Sequence, residues 1–180
     1  MPVYENVPTV EYYYNPEPRI RSLLEPLNIR SILDVGAGHG GVFDFGYWTE
    51  RDMEAREACD IFWMRDMGEK WKTRIGVDAC QLTSHYPEKS FDFVQCCEVL
   101  EHIEDNRKAL EEMCKVARKA VFITSADESQ HRGPEQAAIE KFNTAQKYIG
   151  QPKIADLIEL GFDTRVEHLE RKQIIAWKFL

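Results

Sequence analysis

No run of about 18 uncharged apolar residues occurs in this chain, so nothing in it reads as a membrane-spanning helix. The opening stretch, MPVYENVPTVEYYYNP, has no basic segment leading into an apolar one, which argues against a secretory signal. Cysteine is present but unpatterned. The five, at 59, 80, 96, 97 and 114, include no CxxC pair. An odd number without a signal reads as reduced thiols, placing the protein in the cytoplasm, and the spacing gives no reason to expect a zinc site or any other metal. Positive charge is short: 23 Lys and Arg face 31 Asp and Glu, a net charge of −8. Contact with phosphate backbones relies on those bases, so the balance speaks against nucleic acid as a partner. Five of the bases fall in RKAL and KVARK (107–119), at a spacing that fits the wet face of a helix. Internal repeats and low-complexity segments are also lacking. What is left, 180 residues at 43% apolar and 30% charged, reads as one soluble globular domain spanning 1–180.

Along the chain, apolar runs and turn signals alternate. YYYNPEP (12–18) reads as an irregular arm, and RIRSLLEPL (19–27) as a short helix ending near Pro26, so that 1–28 forms an N-terminal arm and helix. SILDV (31–35) is a compact apolar run stopped by glycine and predicts a buried strand. Residues 40–72 are harder to divide; TERDMEAREACDIFWM (49–64) has helical composition, with Thr49 or Asp52 as caps. TRIGVDA (73–79), SFDFVQCC (90–97) and AVFITS (120–125) predict further strands. Between the last two, Ala109, Leu110, Met113, Cys114 and Ala117 recur at helical spacing. GPEQAAIEKFNTAQKYIG (133–150) and KIADLIELGF (153–162) predict helices, the second closed by Gly161, and DTRVEHLE with QIIAWKF predicts a final hairpin. The pattern is α/β: a doubly wound, mostly parallel sheet with helices on both faces and an antiparallel C-terminal hairpin. Ligands in such sheets sit beyond the carboxyl ends of the strands, where strand order reverses.

That end is reached first by ILDVGAGHGG (32–41). GAGHGG formally satisfies the dinucleotide fingerprint G-x-G-x-x-G. Asp34, two residues before Gly36, argues against a pyrophosphate, because a carboxylate beside the loop repels phosphate. It suits a ligand carrying an ammonium group, or else it merely caps the turn.

ILDVGAG resembles the first motif of the class I S-adenosylmethionine-dependent methyltransferases. SFDFVQCCEVLEHIED resembles their fourth-strand segment, and LIELGF the helix end before their closing hairpin. The resemblance implies a seven-stranded sheet with S-adenosylmethionine lying across the strand ends. It implies that Asp34 faces the methionine ammonium, and that Gly36, Ala37 and Gly38 let the main chain pass beneath methionine and ribose. The backbone of Gln95–Cys97 would then flank the sulfonium. The family also has an acid at the end of its second strand, about 20 residues past the glycine loop. The obvious candidate, Asp78, comes 40 residues after Gly38. Either 42–72 holds an insertion of about one helix, or the second strand is hidden inside it and VDACQL follows the third strand. The 11 residues between Asp78 and Ser90 fit the second case; the strand composition of RIGVDA fits the first. Asp78 meets the cofactor in both. The family's proline-glycine turn before the fifth strand is replaced by VARKAVF, which implies a tighter connection.

Methyl transfer asks the protein for alignment, exclusion of water and, for some acceptors, a base. EVLEH places Glu101 and His102 just past the fourth strand. His102 is a candidate base at neutral pH, with Glu101 beside it, and the alternative is that both only stabilise the loop. The stretch matches neither HExxH nor HxxEH. Tyr14, with its neighbours Tyr12 and Tyr13, and His131 and Arg132 in SADESQHRGPEQ are candidates for meeting substrate, with 127–150 as a lid. The acceptor is unidentified, a small molecule or protein rather than nucleic acid; no Asn-Pro-Pro-Tyr-type stretch of base methylation is present. Two alternatives stand beside the enzyme: a silent S-adenosylmethionine-binding regulator on the same fold, and an NAD-binding oxidoreductase, which would want an apolar residue at 34.

Overall fold

The computed structural model describes residues 23–38, 48, 51–62, 64, 66–126, 152–168 and 172–180. Seven strands form one sheet: β1 (Ser31–Val35), β2 (Ala55–Asp60), β3 (Lys72–Ile75), β4 (Phe91–Cys97), β5 (Ala117–Ala126), β6 (Asp163–His168) and β7 (Lys172–Phe179). Their order across the sheet is β3-β2-β1-β4-β5-β7-β6. The first five run parallel, and β7 pairs antiparallel with both β5 and β6. This is the α/β sheet with a closing hairpin that the alternation of elements predicts. Strand order reverses at β1, which lies between β2 and β4; open α/β sheets bind their ligands beyond the carboxyl ends of the strands at such a point.

SILDV is a strand because both faces of its position are buried. Ile32 and Leu33 are fully enclosed and Val35 almost so. Alternation divides the core into two layers. Leu33, Val35, Val94 and Cys96 face one layer, with Leu110 and Met113 of α1 (Asn106–Val116) and Leu157 of α2 (Ile154–Glu159). Ile32, Phe93 and Cys97 face the other, which is filled by Trp48, Met53, Met64, Met67 and Trp71. The Trp48 and Phe93 rings lie 5.2 Å apart. Position 34 shares the second face with position 95, and the two are register partners on β1 and β4.

The segment 40–72 departs from expectation. Residues 55–60, which lie inside the predicted helix over 49–64, are strand β2, paired residue by residue with β1 from Ser31↔Ala55 to Val35↔Cys59. Helix propensity is a weak prior, and AREACD overrides it by filling the gap beside β1, where Ala58 and Cys59 are completely buried. TRIGVDA therefore carries the third strand, which ends at Ile75, ahead of Gly76 at φ +82°. Of the two alternatives for 42–72, the hidden second strand is the one realised.

Elsewhere local rules hold. α1 is capped by the Asp105 carboxylate, which accepts from the Lys108 amide at 2.9 Å. It passes into β5 with no intervening residue, the tight connection expected of VARKAVF. Gly161, at φ +80°, closes α2: its N–H donates to Ile158 and that of Phe162 to Leu157, a Schellman motif. The predicted short helix at 19–27 is described from residue 23 and ends in a 3₁₀ turn, Glu25–Leu27. The expected helix over 133–150 and the arm before residue 23 lie outside the described residues. Among the described residues no helix is long and apolar enough to cross a membrane.

Candidate active site

Three parallel strands, β1, β2 and β4, deliver acidic residues to the same end of the sheet. Asp34 is the penultimate residue of β1 and is half-buried. Its carboxyl is pushed up to about 7: burial is the main cause, the negative charge of Asp60 adds to it, and a hydrogen bond from the Gln95 side chain opposes it. Among the described residues no lysine or arginine forms an ion pair with Asp34. A carboxylate in this state is relieved by a bound cation, so the donor set fits an ammonium group and disfavours a phosphate.

The loop after β1 explains its own glycines. Gly36 sits at φ +72°, and a Cβ there would come within 2.4 Å of a Val99 methyl. Glycine at 36 thus lets the loop after β4 close onto the loop after β1. The Gly36 and Ala37 amides both donate to the Cys59 carbonyl, at 2.8 and 3.1 Å, which bends the chain over the end of β2. Gly38, at φ +40°, donates its amide to Asp60 Oδ2 at 3.1 Å.

Asp60 is the acid that sequence reading missed. It ends β2, 22 residues after Gly38, at the separation the family pattern asks for. The misread helix hid it, although the interval alone pointed to it. Its Oδ1 accepts from the Phe62 amide at 2.9 Å, so both oxygens are oriented by backbone. The Asp60 carbonyl in turn accepts from the Val77 amide at 3.1 Å, which sets the exit of β3 beside that of β2. Asp78 therefore stands next to Asp60 and not in its place. It caps a 3₁₀ helix, Ala79–Ser84, by accepting from the Cys80 amide at 2.8 Å. The far end of that helix is tied to α1 through buried Glu112, which accepts from the Thr83 hydroxyl at 2.6 Å and amide at 2.9 Å.

From β4 the chain turns out sharply. Glu98 adopts φ +56°, a conformation that costs a non-glycine residue energy and is often found where a site demands it. Its amide donates to the Thr124 carbonyl at 2.9 Å. A 3₁₀ turn follows, Leu100–His102. Glu101 points inward: it is 1% exposed and accepts from the Ser125 hydroxyl at 3.1 Å. His102 is half-buried at the strand-end face. The Cys97 thiol is buried and held well above the usual thiol range, chiefly by burial, with the charge of Asp34 adding to it. It is a neutral space-filler and not a nucleophile. Tyr14, His131 and Arg132 lie outside the described residues.

Asp34, Gly36, Ala37, Gly38 and Asp78 thus stand at or just past the carboxyl ends of β1 and β3, Cys97 ends β4 within the core, Glu101 is turned inward with His102 next to it in the same turn, and the structure adds Asp60 at the end of β2. A cofactor with an ammonium group at one end and hydroxyls at the other fits this set: Asp34 for the first, Asp60 for the second, with the glycine loop between.

Comparison with known proteins agrees. A family model described as a methyltransferase domain matches residues 33–124. A methyltransferase from Archaeoglobus fulgidus, described as SAM dependent, superposes with a TM-score of 0.63 at 18% identity, covering 90% of this chain and 91% of that one. Another so described, from Aquifex aeolicus, gives 0.56 at 17% identity, with 88% of each chain covered. Magnesium protoporphyrin IX methyltransferase from Synechocystis, solved with bound SAM, gives 0.57 at 17% identity over 89% of this chain and 76% of that one. No curated protein sequence matches. With the family model covering half the chain and the sheet order, glycine loop and strand-end acids all in place, this protein belongs to the class I S-adenosylmethionine-dependent methyltransferases.

Proposed function

We propose that this protein methylates a small molecule or a protein in the cytoplasm, binding S-adenosylmethionine through Asp34, Asp60, Asp78 and the 36–38 loop. The observation that carries the reading is the pair of acids at the ends of β1 and β2, with the glycine loop after β1 tied to Asp60 by the Gly38 amide. Asp34 would take the ammonium group and Asp60 the ribose hydroxyls, while Asp78, one strand further out, serves the adenine side. When bound, S-adenosylmethionine supplies an electrophilic methyl group on a sulfonium. The chain's contribution is then alignment and shelter from water. The backbone of Gln95–Cys97 lines the middle of the crevice. His102, in the turn after β4, serves as the candidate base for an oxygen or nitrogen acceptor. Glu101, bonded to Ser125 in the interior, supports the turn that presents His102 and acts as a positioning residue. Tyr14, His131 and Arg132 complete the acceptor pocket in this reading. The net charge of −8 supports a small-molecule or protein acceptor over nucleic acid.

Calorimetric titration with S-adenosylmethionine, S-adenosylhomocysteine and NAD tests the cofactor half: micromolar-range binding of the two sulfur ligands and none of NAD is expected. Release of S-adenosylhomocysteine across a panel of small-molecule and protein acceptors tests the other half. Binding without turnover on any acceptor would favour a silent binder.

A further inference from the structure

Glu112 shares the buried face of α1 with Ala109, Leu110, Met113 and Val116. Its side chain is 3% exposed. Burial pushes its carboxyl up, but Lys115, Thr83 and Lys108 outweigh that and hold it at about 2, so it stays charged. Its two oxygens have separate partners. Oε1 faces Lys108 at 3.0 Å and Lys115 at 2.8 Å, both half-exposed, while Oε2 accepts from the Thr83 amide and hydroxyl. Replacing a buried ion pair with apolar side chains is often neutral or stabilising, so stability alone gives little reason for a charge here. What Oε2 fixes is the far end of the 3₁₀ helix Ala79–Ser84. That helix is six residues long and leaves helical geometry at Gln81 (φ −136°, ψ 30°), so it depends on outside anchors. Its near end is the Asp78 cap on the Cys80 amide, and the Cys80 thiol donates to the Asp105 carbonyl at 3.4 Å. The β2–β3 pairing stops at Asp60↔Ile75. Beyond it, Asp78 is located by the Val77 amide bond to Asp60 on one side and by this helix on the other.

We infer that Glu112 is a positioning residue for cofactor recognition: through Thr83 it fixes the helix that aims Asp78 at the exocyclic amine of the adenine. This rests on the reading above that puts Asp78 at the adenine side of S-adenosylmethionine. Glu112 touches no ligand itself. It sets how well the site tells adenine from a base without that amine.

Two ligands read this preference: S-adenosylhomocysteine, and its analogue with unsubstituted purine in place of adenine, which lacks only the exocyclic amine. Both are titrated calorimetrically into the wild type, Glu112→Leu and Glu112→Gln, with a thermal melt of each protein. The wild type is expected to prefer S-adenosylhomocysteine by about tenfold, the worth of one hydrogen bond to a charged group. Glu112→Leu frees Thr83 and should weaken S-adenosylhomocysteine about fivefold, with the purine analogue changed less than about twofold. Glu112→Gln keeps an oxygen for Thr83 and should hold the preference within about twofold of wild type. Should the Leu variant not fold, Thr83→Val loses the hydroxyl bond, keeps the amide bond and should show the same selective loss at about threefold. A merely structural role would lower the melting temperature and leave the preference intact. That result, or equal weakening of both ligands, would overturn the role of Glu112 and leave the cofactor reading standing, as would a wild type that binds both ligands alike. Failure of the wild type to bind S-adenosylhomocysteine would overturn both.

Discussion

Asp34 and Asp92 lie at opposite ends of the same central strands, and their surroundings have opposite chemistry. Asp92, at the start of β4, is 2% exposed. It accepts from the Arg30 amide at 2.9 Å and from Arg118 at 2.7 Å, and it pairs with Lys119 at 3.2 Å. Its own amide donates to Ser31 Oγ at 2.8 Å. Burial alone would raise its carboxyl, but these donors and cations win and hold it below the ordinary value. Asp34 has burial and the charge of Asp60 against it, only Gln95 in its favour, and sits at about 7. The lower end of the sheet is electrostatically complete within the chain. At the upper end, Asp34 has no lysine or arginine in an ion pair with it among the described residues, and its carboxyl is raised. An acid in that state suits a cationic ligand, whereas the compensated acid below is part of the scaffold.

If that division is right, substitutions at the two ends will separate stability from binding. Asp92→Ala strands Arg118, Lys119 and the Arg30 amide, and is expected to lower unfolding free energy in urea by about 2–4 kcal/mol, while S-adenosylhomocysteine affinity of the folded protein stays near wild type. A loss of affinity exceeding the loss of stability would break the comparison.

Asp60→Ala should do the reverse. Removing both of its oriented oxygens frees the Gly38 and Phe62 amides and is expected to weaken S-adenosylhomocysteine binding by about 1.5–3 kcal/mol in calorimetry, with a smaller effect on the melt.

Asp34→Asn sharpens the comparison through pH. The folded wild type keeps a proton on Asp34 that the unfolded chain has already lost, between the ordinary value of 3.8 and about 7. Stability contributed by that proton is therefore lost as pH rises through this window. The amide variant escapes the loss, so its stability relative to wild type should improve from pH 5 to pH 8, by about 1–3 kcal/mol in urea titrations. Its S-adenosylhomocysteine affinity should fall by a similar amount. A pH-independent difference in stability would show that Asp34 has a partner that keeps it charged.

Asp78→Ala is the smallest expected change. The loss of a cap on the Ala79–Ser84 helix costs about 1 kcal/mol, and cofactor binding should weaken by no more than about tenfold. Affinity unchanged in this variant, alongside a large loss in Asp60→Ala, would place the main hydroxyl contact on β2 alone.

The sequence by itself determined β1, β4, β5, both described α-helices and the closing hairpin, because each announces itself locally. Apolar runs stopped by glycine, a helical repeat ending in a Schellman glycine, and paired β-prone stretches need no partner to be recognised. It likewise exposed Asp34 and the glycine loop, since their meaning lies in a spacing of two to four residues. Only the tertiary structure decided β2, and with it Asp60. AREACD carries no strand signal of its own and is extended because β1 and β3 hold it on either side. The contacts of Glu101 and Gln95 belong to the same level. A glutamate turned inward to a serine and an amide with one end unpaired are facts of contact between strands, which no local pattern encodes.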